Sequence, residues 1–265
     1  MLKSTWFFRI SLLVRQRPCI ILLFIIGPAF VAAQPRTIDG SYTPHNREWG
    51  TIISLDGIWE IAEGLGNNIP ARFTSTIPVP GLVTNAIPAF KDVGAITKSR
   101  DAFWYRRKFT IEGNVPAMAR LKIFKAMHGA TVFLNGKKIG YNPVNFVPLY
   151  FNVSSLLRGN KTENELIIRI GADISQVPDS VVTGGDPERR RYPPGIYDHV
   201  QLILSADPYV VRTQVVPDVK ARQIKAVVYF RAVKKTKLPG EIKAEVYEYK
   251  TGKRVAGAII RNPDL

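Results

Sequence analysis

A polar loop near residue 190 carries the side chains best suited to bind a ligand. It reads D-P-E-R-R-R-Y between a Gly-Gly pair and a Pro-Pro pair, so it cannot form regular secondary structure. Its carboxylate can accept hydrogen bonds, its guanidinium groups can donate them in pairs, and its tyrosine offers an aromatic plane. This combination suits sugar hydroxyls or the carboxylate of a uronic acid. A solvated loop, or a contact with further domains, is the alternative. The candidate residues are Asp186, Arg189, Arg190, Arg191 and Tyr192.

Other residue types that commonly carry chemistry are sparse. The three histidines, His45, His128 and His199, are far apart, and none stands at metal-ligand spacing from a cysteine or a second histidine. The sequence contains no G-x-S-x-G motif and no phosphate-binding glycine loop. The residues therefore predict no metal, no cofactor and no catalytic side chain in this chain.

The first 33 residues have the pattern of a secretory signal peptide. Four basic residues and no acidic one accompany an apolar run from Cys19 to Ala33. That run is shorter than the ~20 residues that a membrane-spanning helix needs. It ends in small residues suited to signal peptidase, so we predict cleavage before Gln34 and a secreted or periplasmic protein. An uncleaved membrane anchor is the alternative. Cleavage would remove Cys19, the single cysteine, and leave a chain without disulfides.

The excess of positive charge lies mainly toward the C-terminus. The formal net charge is +16, of which the first 33 residues contribute +4 and the residues from Arg212 onward contribute +8. The basic residues do not alternate with aromatic ones, and no zinc finger or basic helix occurs, so no nucleic-acid partner is predicted. A solvated basic surface, or contact with an acidic glycan or a membrane surface, can account for the charge.

The remaining sequence predicts short β-strands and no helix longer than one turn. Apolar residues flank Asn135-Gly136, the pair typical of a two-residue type I′ turn, so we predict a β-hairpin there. Strands at this spacing indicate an all-β sandwich, with a second one beginning after Asp207. The predicted strands are 52–61, 102–111, 119–127, 145–151, 164–170, 196–204, 209–216, 223–233 and 241–249, and 77–81 is predicted to be an extended segment bounded by prolines.

Six of these segments, taken in order, resemble the N-terminal sugar-binding domain of glycoside hydrolase family 2. This family contains β-galactosidases, β-glucuronidases and β-mannosidases. Each block is short, and the order of all six carries the resemblance. The blocks are S-L-D-G-I-W from Ser54, I-P-V-P-G from Ile77, W-Y-R-R-K-F from Trp104, F-L-N-G-K-K-I-G from Phe133, N-E-L from Asn164, and G-I-Y-D-H-V-Q-L from Gly195.

The resemblance implies a fold for this chain and places catalysis in a different domain. The fold would be all-β: a jelly-roll, galactose-binding-like sandwich over residues 34–207, then a truncated immunoglobulin-like β-sandwich over 208–265. In the family, two glutamates on a later (β/α)8 barrel act as acid/base and nucleophile on terminal β-glycosidic bonds. The chain stops at Leu265, before such a barrel. We therefore expect a non-catalytic N-terminal part that is inactive alone, with carbohydrate and the catalytic barrel of the same enzyme as partners.

Two features allow other interpretations. The family marks its acid/base with an Asn-Glu pair, and Asn164-Glu165 is such a pair. It stands at the start of an alternating strand, however, so we interpret it as structural. Trp59 and Trp104 could stack on sugars, although the alternation of their strands favours packing. A free-standing carbohydrate-binding module for an acidic glycan is the alternative function, and a structural adaptor held by an uncleaved anchor is a third.

Overall fold

The computed structural model describes residues 5–13, 50–183, 191–221, 223–233 and 241–261. They divide into two compact units. The first lies within Trp49–Ala206, and the second combines the described residues of Asp207–Leu265 with an N-terminal strand, β1 (Thr5–Leu13). Helical structure in the described ranges consists of two 3-10 turns, Val83–Asn85 and Ile174–Gln176. The all-β prediction is therefore confirmed.

The described residues of the first unit form thirteen strands, and their ladders are antiparallel. In chain order they are β2 (Thr51–Ser54), β3 (Gly57–Gly64), β4 (Ser75–Val79), β5 (Gly81–Leu82), β6 (Ala102–Phe109), β7 (Met118–Ile123), β8 (Ala126–Met127), β9 (Ala130–Leu134), β10 (Lys137–Asn142), β11 (Leu149–Asn152), β12 (Asn164–Gly171), β13 (Gly195–Ile196) and β14 (Val200–Ser205).

These strands form a sandwich of two main sheets. One has six strands in the order β10-β9-β12-β6-β3-β4, the other four in the order β11-β7-β14-β2, and β5-β13-β8 make a small third sheet. Alternate residues of both main sheets face a shared apolar core. Trp59 and Tyr105 from the first sheet and Leu121 and Leu202 from the second are at most 2% exposed there. This arrangement is the predicted jelly-roll sandwich.

The predicted strand over residues 52–61 is in fact two strands in different sheets. The chain leaves the four-stranded sheet after Ser54 and joins the six-stranded sheet at Gly57. Leu55, Trp59 and Ile61 all point into the core, so the alternation of the sequence continues unbroken across the change of sheet. For that reason the pattern could not reveal the break. The predicted strands 119–127 and 196–204 are each interrupted in the same way.

Other strand boundaries also differ from the prediction. The strand expected from Asn145 begins only at Leu149, and β1 and a strand over Arg254–Arg261 were not predicted. The hairpin is confirmed: Asn135 (φ 51°) and Gly136 (φ 78°) form its two-residue turn between β9 and β10. Positive φ at both positions is what a type I′ turn requires.

The second unit is a smaller β structure. Its strands are β15 (Tyr209–Asp218), β16 (Gln223–Arg231), β17 (Glu241–Tyr247) and β18 (Arg254–Arg261), together with β1. One sheet has the order β1-β16-β15, and β17 and β18 form a hairpin. Apolar residues of β16, β17 and β18 pack around Ala226. β1 falls within the predicted signal peptide, whereas the apolar run and the cleavage site lie outside the described residues, so the signal peptide stays a prediction.

Candidate functional site

The structure describes two of the five predicted binding residues, Arg191 and Tyr192. Asp186, Arg189 and Arg190 lie outside the described residues. Arg191 Nη1 is 3.3 Å from Asp92 Oδ1, and the two side chains are 60% and 63% exposed. An ion pair this exposed contributes little to stability. The guanidinium of Arg191 can therefore exchange Asp92 for an external carboxylate at a small cost in free energy.

A second contact fixes the same end of the loop. Gly94 packs against the backbone of Tyr192, where a Cβ on Gly94 would lie 2.9 Å from the Tyr192 carbonyl oxygen. Gly94 also has a φ of +85°, which side-chain-bearing residues rarely adopt. Both the close approach and the backbone conformation therefore require glycine, and they join the loop end to the segment 91–95.

The buried side chain of Arg100 holds the segment 91–95 in place through hydrogen bonds to its backbone. The Arg100 side chain is 1% exposed, and its Nη1 donates to Glu63 Oε2 at 2.7 Å. Its Nη2 donates to the carbonyl oxygens of Lys91, Asp92 and Ala95 at 3.0, 2.8 and 3.2 Å. One guanidinium thus satisfies three carbonyls of an irregular segment, which fixes Asp92 and Gly94 for their contacts with the loop.

Two buried polar residues contact the two ends of the loop. Asn145 Oδ1 accepts the backbone N–H of Gly129, and its Nδ2 lies 3.5 Å from the carbonyl oxygen of Thr183. His128 is 3% exposed, and its ring nitrogens have no hydrogen bond of normal geometry to any described residue. Burial lowers the pKa of His128, while the charge of Asp173 and the nearby backbone of Tyr192 oppose that shift. His128 is therefore neutral at neutral pH.

We expect His128 to make the protein sensitive to mild acid. Its pKa is lowered from 6.5 in the folded state, so the unfolded chain takes up the proton first. The contribution of His128 to the free energy of unfolding is therefore constant above about pH 6.5. It becomes destabilising as the pH falls from there toward the pKa of His128 in the folded state. Urea denaturation at pH 7.5 and pH 5 should show a smaller acid loss for His128→Gln than for the wild type. Asn114→Ala, an exposed change that introduces and removes no titratable group, should retain the wild-type loss. Equal losses in all three proteins would contradict the assignment.

Asn164 has a structural role, in agreement with the sequence interpretation. It is fully buried; its Nδ2 donates to the carbonyl oxygens of Arg158 and Thr162, and its Oδ1 accepts from the Arg158 N–H. Asn135 Nδ2 also donates to Asn164 Oδ1, at 3.0 Å. Asn135 Oδ1 in turn accepts the N–H of Glu165, at 3.0 Å. The two asparagines of the family blocks thus tie the hairpin turn to the start of β12.

Both candidate stacking tryptophans are buried. Trp59 is 1% and Trp104 0% exposed, so the packing interpretation is confirmed. Trp59 Nε1 donates to the Leu55 carbonyl across the change of sheet. Trp104 lies on the outer side of its sheet, facing away from the main core that contains Phe103 and Tyr105. It is nevertheless covered, because Phe133 and the segment that follows Gly64 pack on it.

Sequence reasoning missed the residues that fix the loop, namely Asp92, Arg100, His128 and Asn145. Many of their partners are far away in the chain, as Glu63 is from Arg100 and Arg191 is from Asp92, and no spacing rule links any of these contacts. The described residues contain no group of three or more His, Cys, Asp or Glu side chains arranged to hold a metal ion. No helix in these parts of the chain is long and apolar enough to span a membrane.

Comparison with known protein families gives a match over the central part of the first unit's sequence. Residues 68–188 match the family model described as "Glycosyl hydrolase 2 galactose-binding domain-like". The first unit contains a family 2 galactose-binding-like domain. The resemblance drawn from the six sequence blocks is therefore confirmed for this domain.

Similar proteins were also found by comparison with individual sequences and solved structures. A "Probable beta-mannosidase" of Caenorhabditis elegans is 25% identical over 140 residues, which is 50% of this chain and 15% of that protein. A Ruminococcus gnavus β-glucuronidase structure has a TM-score of 0.54 at 19% identity, over 83% of this chain and 39% of its own. A Bifidobacterium dentium β-glucuronidase structure has a TM-score of 0.53 at 19% identity, over 83% of this chain and 41% of its own. At such identities the structures show the fold alone. The chain spans less than half of each of these relatives.

Proposed function

We propose that this chain is the non-catalytic N-terminal part of a family 2 glycoside hydrolase that acts on terminal β-glycosidic bonds. The galactose-binding-like domain over residues 68–188 carries the proposal. The names of the relatives, a probable β-mannosidase and β-glucuronidases, support a β-glycoside as substrate of the whole enzyme. In this proposal the loop of Asp186, Arg189, Arg190, Arg191 and Tyr192 contacts carbohydrate, and a catalytic barrel is the partner domain.

The environment of Asn164-Glu165 supports the non-catalytic part of the proposal. A glycosidase acid/base must reach the glycosidic oxygen with a free carboxyl group, opposite a second carboxylate. Here Asn164 is used entirely in backbone and amide contacts. Glu165 Oε2 lies 4.0 Å from Arg106 Nη1, on a face where Arg106 already forms two hydrogen bonds with Glu60. Glu165 thus belongs to a charged cluster with Arg106 and Glu60, which is a structural setting for its carboxylate.

We expect the purified chain to hydrolyse no simple β-glycoside. It should release no chromophore from the nitrophenyl β-galactoside, β-glucuronide or β-mannoside. Glu165→Gln is the matched control, since it removes the only glutamate that follows an asparagine in this sequence. Steady release by the wild type that disappears in Glu165→Gln would overturn the non-catalytic assignment.

We also propose that the enzyme is secreted through the N-terminal signal peptide. The basic residues followed by the apolar run from Cys19 to Ala33 support this proposal. Mass spectrometry of the protein exported by its host should find a mature N-terminus at Gln34. A chain that retains Cys19 would instead favour the membrane-anchored adaptor.

A free-standing module for an acidic glycan is the second candidate function. The charge of +8 carried by the residues from Arg212 onward favours it. Binding of acidic saccharides by the chain alone, weakened by salt, is the observation that would distinguish it from a purely structural N-terminal domain.

A further inference from the structure

The outer face of the four-stranded sheet carries two aligned rows of side chains, one polar and aromatic and the other partly aliphatic. The inward neighbours of these residues, such as Leu121 and Leu202, are buried in the core, so the rows point away from it. Strand register places the members of each row directly opposite one another. The first row is Tyr150, Lys122, Gln201 and Ser54, and the second is Asn152, Arg120, Ile203 and Ile52.

Cations and aromatic rings are adjacent on this face. Tyr150 is 51% exposed. The ammonium of Lys122 lies 3.5 Å from the ring centre of Phe124 and 5.6 Å from that of Tyr150. The guanidinium of Arg120 is 5.9 Å from the same tyrosine ring. The rings therefore hold Lys122 close to Tyr150 by cation–π attraction, so that an exposed aromatic plane lies beside a fixed positive charge.

The carboxylates near this face already have partners. Asp56 Oδ2 is 2.6 Å from His199 Nδ1 and its Oδ1 accepts the Val200 N–H, while Asp198 pairs with Lys125 at 3.1 Å. The contacts of Lys122 within the described chain are with aromatic rings, and none is with a carboxylate.

The opposite sheet shows the contrasting case. There Arg106 is bound by Glu60 through two hydrogen bonds, and Arg169 is paired with Asp101 at 3.2 Å. The four-stranded face thus offers a cation that the described protein does not neutralise. Its charge is complementary to an external anion.

We propose that this face binds an acidic saccharide, one that contains a uronic acid. The Tyr150 ring stacks on the apolar face of a pyranose, and Lys122 binds the carboxylate of the sugar. Gln201, in line with both, hydrogen-bonds sugar hydroxyls. The site is separate in sequence from the loop of Arg191 and Tyr192. The inference rests on the proposed carbohydrate-related function, and it names the class of sugar.

Calorimetric titration of the full chain with an oligogalacturonate, against a neutral cello-oligosaccharide of equal length, tests the proposal. The acidic saccharide should bind, the neutral one should bind at least about tenfold more weakly, and added salt should reduce the acidic affinity. Tyr150→Ala and Lys122→Ala should each weaken acidic binding by about tenfold or more, which is 1.4 kcal/mol. Lys138→Ala, an exposed lysine on β10 of the other sheet, is the matched control and should bind as the wild type does.

A second measurement does not depend on variants. Nuclear magnetic resonance of the wild type should show shifts on saccharide addition at the amides of Lys122, Tyr150 and Gln201, and none at Lys138. Absent binding, equal binding of the neutral saccharide, unchanged affinity of both face variants, or shifts confined to Arg191 and Tyr192 would each overturn the assignment. None of these results bears on whether the chain hydrolyses β-glycosides, so the proposed function can stand or fall separately.

Discussion

Replacing Asn164 with leucine should lower the free energy of unfolding of the first unit by about 4 kcal/mol. A single buried amide serves the carbonyl oxygens of Arg158 and Thr162, the Arg158 N–H and the Asn135 side chain. Leucine has a similar volume but no polar atoms, so these groups lose their partner away from water. Each buried group left without a hydrogen bond costs about 1–3 kcal/mol, partly recovered by relaxation. The expected loss exceeds that of most single substitutions.

Thermal unfolding followed by circular dichroism measures the Asn164→Leu effect. At about 2–4 °C per kcal/mol, the melting temperature of the first unit should fall by about 10 °C. Asn114→Ala is the matched control, because Asn114 is exposed and its side-chain contact is with exposed Asn160. It should change stability by less than about 0.5 kcal/mol. A small effect of Asn164→Leu, similar to that of Asn114→Ala, would show that the hairpin turn does not depend on the asparagine network.

Replacing Arg100 with methionine should cost about 3 kcal/mol and release the segment 91–95. The three carbonyls that the guanidinium holds lose their donor, and Glu63 loses its ion-pair partner. Removing one member of a buried ion pair is usually costly. Here Glu63 is 35% exposed and can be rehydrated, which limits the loss. Arg100→Lys should recover only part of it, because an ammonium lacks the planar fork that reaches three acceptors.

Limited proteolysis distinguishes the local effect from a general loss of stability. Asp92 and Gly94 contact Arg191 and Tyr192, so release of their segment should also free that end of the loop. At a temperature where the variant remains folded, Arg100→Met should be cut near residues 91–95 and 191–192 faster than the wild type. Lys98→Ala, an exposed change a few residues after that segment, should be cut at the wild-type rate. Equal rates for all three would mean that Arg100 does not anchor the loop.

Arg100 and Asn164 are both buried polar residues, but the sequence predicted a structural role for only one of them. Asn164 belongs to a block of recognisable order, and its structural role was predictable from its place at the start of a strand. Its partner Asn135 was predicted only as a turn residue, although its side chain also binds Asn164. Arg100 lies in a segment without period, and its partners lie at positions 63, 91, 92 and 95. Nothing local in the sequence marks such a residue, because its role depends on how the segment folds over it.

The candidate loop was only partly predictable. Its composition identified Arg191 and Tyr192 as residues of interest, and the structure adds what holds them: Asp92, Gly94 and, through these, Arg100. The outer sheet face was not predicted at all. Tyr150, Lys122 and Gln201 come from three strands, and only strand register places them in one row.

The sequence by itself determined the β class, the hairpin at Asn135-Gly136 and the order of the family blocks. These depend on interactions between residues close in the chain: alternation along a strand, and the positive φ that a tight turn demands. Only the tertiary structure decided that residues 52–61 divide between two sheets, that Trp104 is buried, and which side chains share a face. Those outcomes depend on which strands pair and which segments cover them. Alternation along one strand is the same whichever sheet the strand joins.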